Sequence, residues 1–124
     1  MHPILAKLQQ ASEGLLAISE SEAPFTAFQL NNDDDIIAAL RILAGQPPNA
    51  PVEIQDAFAF LQKQERMYEG QPSGERFRDL TLLVRQLLPD AQLHRLGSIR
   101  IDAFLLGSLP DGTHGGLRTL LIET

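Results

Sequence analysis

The 124-residue sequence contains no cysteine and no tryptophan, and only one tyrosine. Without cysteine there is no disulfide framework, no thiolate zinc site and no thiol nucleophile, which removes disulfide-stapled domains and cysteine proteases. Nor does any apolar run approach the roughly 18 residues of a membrane-spanning helix. The start, Met1-His2-Pro3-Ile4-Leu5-Ala6-Lys7, lacks the basic n-region and long apolar h-region of a signal peptide. A cytoplasmic, unprocessed chain with no membrane association is expected. Cations are also scarce: 10 Lys and Arg, scattered along the chain, stand against 16 Asp and Glu, for a formal charge of −6. That balance repels a polyanion and disfavours direct nucleic-acid binding, while a basic partner, or one with a cationic cleft, is attracted.

What is present fits an ordinary fold. The 44% hydrophobic and 21% charged content exclude a disordered tail, a collagen-like repeat or a coiled-coil rod, and the length suits a single domain over 1–124. Ile4, Leu8, Ala11, Leu15 and Ile18 recur at spacings of four and three, predicting an amphipathic helix over 3–18 that tolerates Gly14. Pro24 ends that region, and Phe25 to Leu30 has the alternation and aromatic content of a strand. Asp33-Asp34-Asp35 supplies an N-cap and first-turn negative charge to a helix stopped by Gly45. Residues 46–51 read as loop, Asp56 caps a short third helix, and 64–74 read as a surface connection. Phe77, Leu80, Leu83, Val84 and Leu87 mark a long helix stopped by Pro89. Beyond Leu93 the period shifts to two, predicting an antiparallel meander, with 112–116 as a hairpin loop and a last strand from Leu117 to Ile122.

Candidate chemistry is sparse. His2, His94 and His114 have no ligand-spaced partner, so the chain holds no zinc site of its own and each reads as a surface or turn residue. Ser19 and Ser21 lack the setting of a nucleophile elbow, and no triad can be assembled. The glycine-rich stretch 112–116 precedes no helix, which argues against a phosphate cradle. Two features stand out. Ser19-Glu20-Ser21-Glu22 follows the end of the first expected helix, where the dipole disfavours negative charge, so Glu20 is either a solvated loop carboxylate or a functional one. The second is the chain end, which stays strand-like to within two residues of Thr124. A docked strand would hold an ionised carboxylate, a hydroxyl and a carbonyl as a compact set of hard oxygen ligands; the alternative is an edge strand that simply stops. Met67 and Tyr68 are either an exposed contact patch or a staple packing their loop down.

Leu8-Gln9-Gln10-Ala11-Ser12-Glu13-Gly14-Leu15-Leu16, running into Ser19-Glu20-Ser21-Glu22-Ala23-Pro24-Phe25, resembles the N-terminal signature of the sugar-non-specific nuclease inhibitors of the nuclease A inhibitor type. Arg95-Leu96-Gly97, the Asp102 strand, Gly107 with Pro110, and the ending Ile122-Glu123-Thr124 are similar to the C-terminal signature of that family. The resemblance implies an α+β fold, a three-layer α-β-α sandwich with a mainly antiparallel sheet. It also implies a non-enzymatic protein that plugs the active site of a magnesium-dependent, non-specific DNA/RNA endonuclease with a cationic cleft. In that family the C-terminal threonine reaches the nuclease's cation and the first glutamate of the Ser-Glu-Ser-Glu segment enters the catalytic centre; the matching positions here are Thr124 and Glu20. Glu22, Glu65, Met67 and Tyr68 complete the expected target-binding set, with Thr124 a metal ligand only in trans and no cofactor of the chain's own. Met67 and Glu65 stand where the family has tryptophan and glutamine. Loss of that aromatic anchor weakens or redirects binding. It leaves open a non-inhibitory binding or regulatory module on the same scaffold. A small hydrolase using Glu20, Asp102 or His94 is the remaining alternative. A monomer before complex formation is expected.

Overall fold

The computed structural model describes residues 2–31 and 35–124. Helix α1, Pro3–Ser12, opens with proline at its first position, and the His2 Nδ1 accepts the Ile4 N–H at 3.1 Å. It does not run on to residue 18. Gly14 takes φ 78°, and Leu16–Ile18 becomes strand β1, paired antiparallel with β2, Glu22–Pro24. Leu15 and Ala17 are fully buried while Leu16 and Ile18 are only half-buried, so this stretch obeys a period of two. The spacing 11, 15, 18 satisfies a helix as well, and the glycine decides between them because it is the one residue that enters the left-handed region without steric cost.

Strand β3, Thr26–Leu30, follows as expected, and the Gln9 amide takes up polar groups just before and at its start, accepting from Ala27 N–H at 2.7 Å and donating to Phe25 O at 3.4 Å. Helix α2, Ile36–Ala44, is capped by Asp35, whose carboxylate accepts the Ala38 N–H at 3.0 Å, and is ended by left-handed Gly45. Asp33 and Asp34, expected in the same cap, lie outside the described residues. An unexpected strand, β4, spans Val52–Asp56 and leads into α3, Ala57–Met67. Asp56 caps α3 as anticipated, but the helix is longer than foreseen and absorbs residues 64–67 of the presumed connection over 64–74. Helix α4 is Pro72–Leu87.

Strands β5 (Gln92–Leu96), β6 (Arg100–Ser108) and β7 (His114–Ile122) form the anticipated meander within a five-stranded antiparallel sheet of order β3-β7-β6-β5-β4. His114, Gly115 and Gly116 belong to β7 and are not hairpin loop. His94 is likewise no surface residue: it lies on β5 opposite Phe104, 7% exposed, and burial pushes its imidazole below the usual histidine value.

Alternate residues of β6 serve two cores. Ile101, Ala103 and Leu105 face α1, α3 and α4 with Leu93, Leu117 and Leu121, while Phe104 and Leu106 face α2 with Phe28, Leu30 and Leu96. The architecture is therefore the expected α+β sandwich: three helices, sheet, one helix. None of the described helices is long and apolar enough to cross a membrane. Strand β7 runs inside the sheet between β3 and β6, but β3 pairs only as far as Arg118, leaving the outer edge of its last residues to the β1–β2 hairpin.

Candidate functional site

The loop of the β1–β2 hairpin, Ser19-Glu20-Ser21, is fastened to that open edge. Ser19 Oγ accepts the Ile122 N–H at 2.9 Å, and the Glu20 N–H donates to Ile122 O at 3.2 Å. From the helical side, Gln64 of α3 grips β1 with both ends of its amide, accepting from Ile18 N–H at 2.8 Å and donating to Ile18 O at 3.0 Å. Gln64 is 2% exposed, so both of its bonds are shielded from water. The charged segment thus stands on a tight hairpin and not after a helix C-terminus. The helix-dipole reason for singling out Glu20 does not apply, and its rigidity comes from strand edges.

At the tip the two residues singled out from the sequence meet. The Thr124 N–H donates to Glu20 Oε2 at 2.5 Å, and the Thr124 hydroxyl to Oε1 at 2.6 Å, closing contacts across 104 positions. Both donors stabilise the charged form, so the Glu20 carboxyl is held below the ordinary carboxylate value by the Thr124 hydroxyl first and its amide second. The hold is therefore complete above the ordinary carboxylate range and is lost as pH falls through the depressed value. Because the hydroxyl proton is committed to Glu20, the oxygen's lone pairs remain as acceptors for an outside electrophile. The preceding residue is fixed as well: Glu123 N–H donates to Ile99 O at 3.0 Å and its carboxylate meets Arg95 at 2.5 Å.

The other expected site residues are dispersed. Met67, 40% exposed, lies on the rim of a groove of about 440 Å³ that also includes Glu20, Phe60, Lys63 and Glu123. Tyr68 next to it is a staple: its hydroxyl donates to Leu16 O at 2.7 Å and its ring stacks on Phe77 with centroids 5.4 Å apart. Burial, and then the charge of Glu22, push its phenol above the usual value. The pair divides the two readings between them, Met67 exposed and Tyr68 packed, and both sit at the end of α3 instead of on a polar connection. Glu22 is exposed on β2 opposite Ile18, and Glu65 lines a separate depression at the α3–α4 turn. Asp102 is engaged by Gln46 at 2.8 Å and Arg118 at 3.7 Å, on the α2 side of the sheet with His94; neither hydrogen-bonds Glu20.

Gln64 was not singled out from the sequence, and Ser19, Arg95 and Glu123 were named there without a role in holding the tip. For Gln64 a signal existed: Ala57, Leu61, Gln64 and Tyr68 share one face of α3, so a glutamine stands in an apolar stripe. Replacing it as Gln64→Leu leaves the Ile18 N–H and carbonyl without partners. The expected loss is about 2 kcal/mol of stability, read as a lower urea midpoint at unchanged slope.

Among the described residues no group of three or more His, Asp or Glu is placed to hold a metal ion. At the tip the oxygens of Glu20 and Thr124 come together, a partial set that another molecule's cation could complete. Comparison with curated proteins gives no significant match. A family model described as nuclease A inhibitor-like protein matches residues 2–124. Spanning nearly the whole chain, from the capping His2 to the Thr124 tip, the match places this protein in the nuclease A inhibitor-like family.

Proposed function

We propose that this chain inhibits a magnesium-dependent, non-specific DNA/RNA endonuclease by inserting the Thr124 tip into its active site. The observation that carries this reading is the capture of both Thr124 donors by the Glu20 carboxylate. It turns a chain end that would otherwise fray into a rigid pair of acidic groups. A nuclease cleft attracts phosphodiesters through cationic side chains and a divalent ion, and a fixed acidic plug matches both. Thr124 provides oxygen ligands to the target's cation, its carboxylate foremost. Glu20 orients that residue and presents its remaining lone pairs to basic groups of the catalytic centre. Glu22 and Met67 contact the rim, within an interface of about 1,600 Å². Glu65 and Tyr68, one at the α3–α4 turn and one packed inward, contribute at the margin and through support of the hairpin. The free inhibitor is a single-domain cytoplasmic monomer that catalyses nothing, carries no cofactor and binds no nucleic acid itself.

Titrating such a nuclease in magnesium with the purified chain is expected to give reversible, stoichiometric loss of activity. Glu20→Gln keeps the shape but offers Thr124 a weaker acceptor and no charge, so inhibition weakens by about 30-fold while the urea midpoint barely moves. Full nuclease activity at a tenfold excess of the parent protein defeats the proposal. It would favour the non-inhibitory binding module, to which the packed Tyr68 and the methionine at the rim also point.

A further inference from the structure

The last three residues alternate in the direction of their backbone donors. Ile122 N–H goes to Ser19 on the hairpin, Glu123 N–H to Ile99 at the start of the β6 side, and Thr124 N–H back to Glu20 on the hairpin. This is the alternation of an extended strand continued past the last ladder pair, Arg100 with Ile122. Whether Thr124 points at Glu20 therefore depends on whether Glu123 stays in register. One backbone bond to Ile99 is a weak hold on a terminal residue. The second hold is Arg95, which lies on β5 opposite Ala103, two strands from β7, and reaches the Glu123 carboxylate. The arginine side chain is only 15% exposed against 49% for the glutamate, so the anchor end of this pair is set in the protein and the end it holds is the tail.

We propose that Arg95 is a positioning residue for the inhibitory tip: by holding Glu123 in register it aims the Thr124 amide and hydroxyl at Glu20. The role in inhibition rests on the reading of the tip given above; the role in ordering the tail does not. Net charge separates this idea from a general electrostatic effect. Removing a cation from a protein of charge −6 strengthens attraction to a cationic cleft, so charge alone makes Arg95→Met a better inhibitor. Loss of positioning makes it a worse one.

The test combines amide exchange and ¹⁵N relaxation of the free protein with association and dissociation rates on a magnesium-dependent nuclease. Arg95→Met is expected to speed exchange at Thr124 and Glu123 by about fivefold, leave core amides unchanged, and raise the dissociation rate by a similar factor with association no slower. Arg95→Lys restores part of the protection. Glu123→Gln, at a half-exposed position that does not endanger folding, reproduces the effect at Thr124, and combining it with Arg95→Met adds little further. Arg78→Met, at an exposed site on α4, controls for the lost charge and leaves Thr124 protected. Unchanged Thr124 exchange in Arg95→Met, or fully additive effects of Arg95→Met and Glu123→Gln, overturns the proposal. A loosened tail with unaltered inhibition upholds the positioning role and instead defeats the inhibitory reading of the tip.

Discussion

Adding one glycine after Thr124 is expected to weaken inhibition on the order of 1,000-fold while leaving the free protein as stable as before. The extension converts the carboxylate into an amide carbonyl. A carboxylate about 4 Å from a divalent ion gains about 8 kcal/mol at an effective dielectric of 20, before desolvation is subtracted. If half of that survives, the loss is about 4 kcal/mol, or three orders of magnitude in the inhibition constant. The Glu20 contacts use the Thr124 amide and hydroxyl, which the extension leaves in place, so the tip stays docked and only its charge and access are altered. A tag at the other end serves as the control. The first turn of α1 lies against the start of β7, with Leu5 beside Gly115, and the rest of β7 separates it from the tip, a span of about 25 Å. An N-terminal tag is therefore expected to leave the inhibition constant unchanged. Equal inhibition by both proteins would rule out the cation-ligand role.

The second large effect is on folding. Gly116→Ala is expected to cost about 3 kcal/mol, lowering the thermal midpoint by roughly 10 °C. A Cβ at residue 116 lies 1.8 Å from the Leu105 carbonyl oxygen, and one at Gly115 lies 2.7 Å from that of Phe28. Both obstacles are backbone, held by the ladders of β6 and β3, and cannot rotate aside as a side chain would. Strand β7 carries the site at its far end, so a shift of register or twist at Gly116 also moves Thr124. Inhibition is expected to fall with stability, and differential scanning calorimetry beside the activity titration measures both. A midpoint within about 2 °C of the parent would show that β6 and β7 relax more freely than this packing allows.

The same glycines explain one difference between sequence and structure. Gly115 and Gly116 carry the composition of a loop, and nothing local distinguishes a glycine that turns the chain from one that lets two strands approach. Other differences have the same origin. The 11, 15, 18 spacing fits a helix until Gly14 breaks it, and the strand that follows exists only because β2 and the Gln64 amide complete its hydrogen bonds. Strand β4 escaped notice because Glu53 and Gln55 dilute its apolar pattern, as befits the edge of a sheet. Glu20 and Thr124 were identifiable as unusual one at a time, the first for a local reason that the structure replaces.

By itself the sequence determined the features that arise from neighbours along the chain. These are the capping carboxylates Asp35 and Asp56, the stop at Gly45, the stripe of α4 and the period of two along β6. Each is settled by interactions within about four residues, and so is written in the spacing. Only the tertiary structure decided that β7 lies inside the sheet with an open edge at its end, that a hairpin covers that edge, and that Glu20 receives the donors of Thr124. Those contacts join groups as much as 104 positions apart. They depend on loop closure and shared burial across the whole fold, which residue spacing does not encode.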